Sequence, residues 1–281
     1  MDIGPRSYGS LAELRADPPD CDVYLSGSDQ IWNPYIFQGN RFDPAFFLTF
    51  VKGKDKIAYA PSLGASSFSP DLMWELEGYL SSYKALSARE SFGRAVLEQA
   101  SGRKVETVVD PTLLLSGEDW AALAKKPKLE RPYVLCYFIS PYGALMPALR
   151  RVLEETGLPL VQLAGMRRRA PGAKRVVLDA GPREFLGLFQ NAAFVVTNSF
   201  HGTVFSMQFE KPFLTGVSPR EMANPGRSRI YSLLQTVGLT GRIAGLPETQ
   251  AWDAKAEYSQ VQKLLAPAVD ASKDYLTRNL F

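Results

Sequence analysis

Short apolar runs recur along this chain, each emptying into small or polar residues and then into a segment of helical periodicity. Val23 to Leu25 ends in Ser26-Gly27-Ser28-Asp29-Gln30, and Lys56 to Ala60 ends in Pro61-Ser62-Leu63-Gly64-Ala65-Ser66. Ala85 to Ala88 ends in Arg89-Glu90, and Val105 to Val109 ends in Asp110-Pro111-Thr112. β-Branched and aromatic residues in such runs mark strands. Between them, Ser69-Pro70 with Asp71 opens a helix to about Tyr83, and Ser91 caps a helix to about Ala100. Strand, polar turn and helix in alternation predict an α/β fold whose parallel sheet carries ligands at the carboxyl ends of its strands.

The charged, proline-broken stretch from Ala124 to Pro132 reads as a linker. It separates a first domain over residues 1–125 from a second over 131–281. The second series begins with a strand at Tyr133 to Ile139. A helix near Ala144 to Thr156 follows, then strands at Pro159 to Leu163 and Arg175 to Leu178, and a helix at Pro182 to Asn191. Phe194 to Thr197 is a buried strand that meets Asn198-Ser199-Phe200-His201-Gly202, after which Val204, Phe205 and Met207 to Phe209 fit one apolar helix face. Pro212 to Val217 is a further strand, and Ser228 to Val237 and Ser259 to Leu280 are helical, the last lying back across the first domain. Residues 1–20 are an irregular arm with a short helix near Ser10 to Ala16.

Composition narrows the class of protein more than its chemistry. At 281 residues, 46% hydrophobic and 22% charged, the chain is an ordinary soluble one with room for two domains. A net charge of +3 does not argue for nucleic acid. The basic loop of Arg167, Arg168, Arg169, Lys174 and Arg175 lacks the interleaved aromatics of a nucleic-acid surface. It reads either as a solvated loop or as contact with an anionic membrane surface or an anionic lipid-linked substrate. Cys21 and Cys136 read as buried, unpaired thiols of a reducing compartment. With no membrane-length apolar run and no signal-like start, a cytoplasmic location is expected.

The sole histidine lies in the 198–202 junction. Asn198 and Ser199 suit an N-cap, which leaves backbone N–H groups near His201 and Gly202 directed outward at a strand's carboxyl end, a natural anion site. A capped turn with an incidental histidine is the equal alternative. The Ser-Gly-Ser-Asp turn is read first as an Asx-type turn, with Asp29 as a carboxylate beside a ligand path as the second reading. Asp110-Pro111 is read as mainly architectural.

SGSDQIWNP at 26–34, YAPSLGAS at 59–66, LSARES at 86–91, VVDPTLLL at 108–115 and TNSFHGTVFSMQFEKPF at 197–213 together resemble the polysaccharide pyruvyl transferase family, in the family's order and over most of the chain. The resemblance implies two Rossmann-like domains in a GT-B-like arrangement, acceptor side first and donor side second, with the active site in the cleft between them. It implies phosphoenolpyruvate as donor, a saccharide acceptor, free or lipid-linked, of exopolysaccharide or cell-wall synthesis, a cyclic ketal product, and neither cofactor nor metal. Among the residues at its motifs, His201, Asp29 and Glu90 are the acid–base candidates. Arg89, Ser28, Gly27, Ser62, Asn198, Ser199, Phe200 and Gly202 are the substrate-binding candidates, with His201 and Arg89 on the donor. This chain differs in having only a polar arm where members carry a further strand and glycine loop, so the first domain reads as shortened. It also has Ser199 where many members carry an arginine. A nucleotide-sugar glycosyltransferase and a non-catalytic carbohydrate- or anion-binding relative are the alternatives.

Overall fold

The polar arm folds where Ser10 caps a short helix, α1 (Leu11–Ala16), its hydroxyl accepting from the Glu13 N–H at 3.2 Å. The computed structural model describes residues 6–129, 132–141, 143–165, 169–224, 227–246, 249, 254 and 256–281. The chain divides into two units, Met1–Leu114 with Ala268–Phe281, and Leu115–Pro267.

In unit 1, β1 (Val23–Ser26) runs parallel to β2 (Asp55–Ala58) with Ser26 opposite Ala58. After α2 (Pro70–Leu80), β3 (Ser87–Ala88) leads into α3 (Ser91–Ser101) and pairs in parallel with β4 (Glu106–Thr107). The Ala58 N–H donates to Ala85 O at 3.0 Å, which joins the two pairs. Leu76 and Leu80 of α2 and Val96 and Leu97 of α3 are buried against Trp32, whose ring stacks on Phe47 at 4.7 Å. All strands therefore deliver their carboxyl ends to one edge. Ser91 is not the cap of α3: it is the first helical residue, and Glu90 holds the N-cap position without a side-chain cap bond.

Unit 2 contains α4 (Gly117–Leu123), β5 (Val134–Tyr137), α5 (Met146–Thr156), β6 (Leu160–Leu163) and β7 (Ala173–Val177). It continues with α6 (Pro182–Asn191), β8 (Phe194–Thr197), α7 (Phe200–Gln208), β9 (Phe213–Thr215), α8 (Pro219–Ala223) and α9 (Arg229–Thr236). Its five-stranded sheet is parallel throughout in the order β7-β6-β5-β8-β9. Every residue of β6 and β8 is buried, as expected of strands covered on both faces.

The 124–132 stretch is not a free linker. The Lys125 N–H donates to Arg183 O at 2.8 Å, the Lys125 ammonium pairs with Glu184 at 2.8 Å, and Arg183 Nε donates to Leu123 O at 3.0 Å. A Cβ on Gly187 would lie 1.8 Å from Lys125 O, so α6 accepts this segment only through a glycine. Gly117 of α4 meets Gln208 O in the same way, at 2.0 Å. The division consequently falls at Leu114/Leu115, ahead of the expected 125–131, because α4 and the segment after it pack on α6 and α7. Glu130 and Arg131, like Arg167 and Arg168 of the basic loop, lie outside the described residues.

The last helix, α10 (Tyr258–Leu280), passes Pro267, where the division falls again. Its second half completes unit 1: Ser272 Oγ accepts from the Val109 N–H at 2.9 Å, and the Tyr275 hydroxyl donates to Ala58 O at 2.8 Å. Cys136 is buried in β5, but Cys21, expected to be buried, is exposed just before β1. Among the described residues no helix is long and apolar enough to cross a membrane.

Candidate active site

In unit 2 the chain leaves β5 for β6 on one side and returns to β8 on the other, so the crevice beyond the carboxyl ends of β5 and β8 is a topological switch point, where ligands bind in open parallel sheets. The 198–202 junction lies at that crevice. Asn198 is consumed in building it: Nδ2 donates to Ser140 O and Ser140 Oγ, both at 2.9 Å, and Oδ1 accepts from the Ile139 N–H at 2.9 Å. Thr197 Oγ1 donates to Tyr137 O at 2.6 Å and accepts from the Ser199 N–H at 3.1 Å. Ser199 is the N-cap of α7, its hydroxyl accepting from the Gly202 N–H at 3.2 Å. The Gly202 amide, expected to face a ligand, is thus engaged inside the protein. A Cβ at Gly202 would lie 2.4 Å from Thr197 Oγ1, so the glycine is what lets α7 begin so close to β8.

His201 is half-buried and meets the buried Phe200 ring edge-on, centroids 5.6 Å apart. The Arg229 guanidinium lies 5.8 Å from the same ring's centroid, at the start of α9. Within cation–π range of Phe200, it is a permanent positive charge packed against the residue that precedes His201. Nothing in the sequence pattern singles out Arg229, which stands at the start of a helical segment and outside the five family-like motifs.

Unit 1 gathers its candidates around Arg89. The side chain is 3% exposed, with Nη1 on Asp110 Oδ2 at 2.6 Å and Nε on Glu90 Oε1 at 2.9 Å. Nη2 lies 3.6 Å from Asp29 Oδ1. Burial opposes the charge, yet the Glu90 and Asp110 carboxylates outweigh it and hold the Arg89 pKa above its ordinary value. Instead of a fork open to a ligand, Arg89 is the hub of a buried ion-pair network. Glu90 is as buried as Arg89, at 4%, whereas the Asp29 side chain is 60% exposed. Asp29 also has φ 71°, a left-handed conformation uncommon outside glycine.

Ser28 Oγ donates to Asp110 Oδ2 at 3.1 Å, and the Ser62 N–H donates to Asp29 O at 2.8 Å. Ser62 Oγ and Glu90 Oε2 are buried without a hydrogen-bond partner, which leaves the cluster only partly satisfied from within. A Cβ at Gly27 would meet nothing within 4 Å, so there is open space beside this turn. Asp110 was legible as the end of a strand; its place at the centre of the cluster was not. The three carboxylates converge on a guanidinium, and among the described residues no group of His, Cys, Asp or Glu is arranged to hold a metal ion.

Parallel sheets with polar clusters on their carboxyl edges define an α/β protein whose ligand sites are expected at those edges. The chain belongs to the polysaccharide pyruvyl transferase family, whose model matches residues 3–219. A search of curated proteins gave no match. Among solved structures, the α,α-trehalose 6-phosphate synthase of Burkholderia multivorans is similar at 12% identity and TM-score 0.47, with 89% of this chain and 79% of that one covered. The UDP-GlcNAc 2-epimerase of Methanocaldococcus jannaschii, in complex with UDP-GlcNAc and UDP, is similar at 13% identity and TM-score 0.45, covering 90% and 76%. The wall teichoic acid polymerase TagF is similar at 12% identity and TM-score 0.46, covering 90% and 67%.

Proposed function

We propose that this protein transfers pyruvate from phosphoenolpyruvate to a saccharide as a cyclic ketal, releasing inorganic phosphate. The observation that carries the reading is that the family match over residues 3–219 takes in both clusters, Asp29–Arg89–Glu90–Asp110 and His201. In the reaction a proton is added to the methylene carbon, and one sugar hydroxyl adds to C2 as its proton is withdrawn. The C2–O bond to phosphate then breaks, and a second hydroxyl closes the ketal. Two hydroxyl protons are lost, one carbon gains a proton and the departing phosphate carries the other.

The roles follow from exposure and charge. His201 and Arg229 of unit 2 attract the dianionic phosphate and the carboxylate of the donor, and His201 is the group there able to give a proton to the methylene carbon. Asp29 is the exposed carboxylate of the Arg89 cluster and serves as base toward the acceptor hydroxyl. Arg89, Glu90 and Asp110 position it, since their side chains are almost fully buried. The test is release of phosphate from phosphoenolpyruvate by the full chain with a panel of saccharides. Phosphate appearing only with an acceptor, together with a product heavier by one ketal-linked pyruvate, supports the reading. Binding of nucleotide sugars in preference to phosphoenolpyruvate refutes it.

A further inference from the structure

A second ligand-sized feature of unit 1 lies away from Arg89. Between α2 and the turn from Tyr35 to Arg41 runs a groove of about 1310 Å³. On its helix side stands Trp74, 78% exposed although α2 buries Leu76 and Leu80 on its other side. The indole thus stands in solvent at the groove's wall, where its apolar face is available to a ligand. The groove is of mixed polarity. Asp71 and Glu75 of α2 and Asn40 and Arg41 of the turn line it, and Tyr35 is half exposed at its wall. Glu75 is held in place, its Oε1 accepting from the Tyr79 hydroxyl at 2.8 Å. Gly78, one turn beyond Trp74, would meet nothing within 4 Å if given a Cβ, so the surface beside the indole is unobstructed.

An exposed aromatic face beside a fixed carboxylate and an amide is the chemistry that recognises a carbohydrate. The ring covers the apolar C–H face of a pyranose, while acceptor oxygens and the amide engage its hydroxyls. The groove's charge narrows the class further. Asp71, Glu75 and Glu77 against Arg41 make it acidic, which disfavours an anionic sugar. We propose that this groove binds a neutral saccharide, an extended portion of the acceptor stacked on Trp74. The inference rests on the reading of the acceptor as a saccharide, and its test is separable from turnover.

The full chain, Trp74→Ala and Trp74→Phe are each titrated with maltohexaose, cellohexaose and chitohexaose, with a hexagalacturonate as the anionic control. Phosphoenolpyruvate binding is measured in parallel by calorimetry. Wild-type protein is expected to bind at least one neutral oligosaccharide. Trp74→Ala should bind it about tenfold more weakly, Trp74→Phe should stay within about threefold of wild type, and the galacturonate should bind less well than the neutral sugar. Loss of saccharide binding on Trp74→Ala with phosphoenolpyruvate binding unchanged supports the groove. If saccharides bind through Trp74 while no pyruvyl transfer occurs with any acceptor, the groove stands and the enzymatic reading falls. Binding of no neutral oligosaccharide, equal binding by Trp74→Ala, or tighter binding of the galacturonate overturns the inference. So does a Trp74-dependent dimer in light scattering without saccharide binding, since the face is then an interface.

Discussion

Removing Arg89 should cost more stability than removing either carboxylate it serves. Its guanidinium, 3% exposed, bonds Asp110 at 2.6 Å and Glu90 at 2.9 Å, and those side chains are 1% and 4% exposed. Arg89→Ala leaves two buried carboxylates without their cation. Each charge-assisted bond contributes about 1.5–3 kcal/mol, and stranding a buried charge costs about 3–5 kcal/mol. Asp110→Asn leaves the Arg89–Glu90 pair intact and keeps an acceptor oxygen near Nη1, so its cost should be one bond, about 1.5–3 kcal/mol. Urea unfolding followed through Trp32 checks this, because that ring is fully buried in unit 1 and stacked on Phe47. The order Arg89→Ala worse than Asp110→Asn, by about 1.5 kcal/mol or more, is the expected outcome. An Arg89→Ala variant within about 1 kcal/mol of wild type, or an Asp110→Asn variant at least as destabilised, would show that the network is not the hub described here.

His201→Asn and Arg229→Gln should each weaken phosphoenolpyruvate binding roughly ten- to hundredfold in calorimetry, with His201→Asn losing more turnover than affinity; unchanged donor affinity in both would remove unit 2 from donor binding. Gly202→Ala should destabilise unit 2 by about 1–3 kcal/mol, because its Cβ would meet Thr197 Oγ1 at 2.4 Å, and a melting temperature equal to wild type refutes the packing argument. Burial pushes the Cys136 thiol up to about 12, so at pH 8 it is almost wholly protonated and shielded, while Cys21 is exposed. Iodoacetamide should label Cys21 alone in the native protein and both thiols in denaturant, and rapid native labelling of Cys136 would contradict its burial.

The alternation of apolar runs and polar turns was sufficient to read the α/β class and the strands, because β5, β6 and β8 are buried along nearly their whole length and so stand out as continuous apolar stretches. The division of the chain was less legible. AKKPKLERP carries the composition of a linker, yet its neighbours dock through contacts made by glycines, Gly117 on Gln208 and Gly187 on Lys125, and a glycine's fit to a distant backbone leaves no local pattern. The same limit hid the task of Asn198. As a good capping residue it was read as part of an anion site, but it fastens the turn after β5 through three bonds to residues about sixty positions away. Arg89 reads in sequence as a donor-binding cation because two of its three partners, Asp29 and Asp110, come from other strand ends.

Asp110 shows why the division between architectural and functional residues fails at such an edge. Its Oδ1 accepts from the Thr112 N–H at 3.0 Å and the Thr112 hydroxyl at 2.6 Å, which caps the short turn of helix that begins at Pro111. Its Oδ2 receives Arg89 Nη1 and Ser28 Oγ. One carboxylate therefore fixes the end of β4, the guanidinium that faces Asp29, and the turn that carries Asp29. The left-handed backbone at Asp29 costs on the order of 1 kcal/mol and persists because Ser62 and Ser28 hold that turn from both sides. A substitution at Asp110 should thus lower stability and displace Asp29 together. On the proposed roles, in which His201 and Arg229 contact the donor, Asp110→Asn is expected to reduce kcat more than it raises the KM for phosphoenolpyruvate. A variant destabilised by about 2 kcal/mol that turns over at the wild-type rate would separate the two tasks and leave Asp110 as a cap alone.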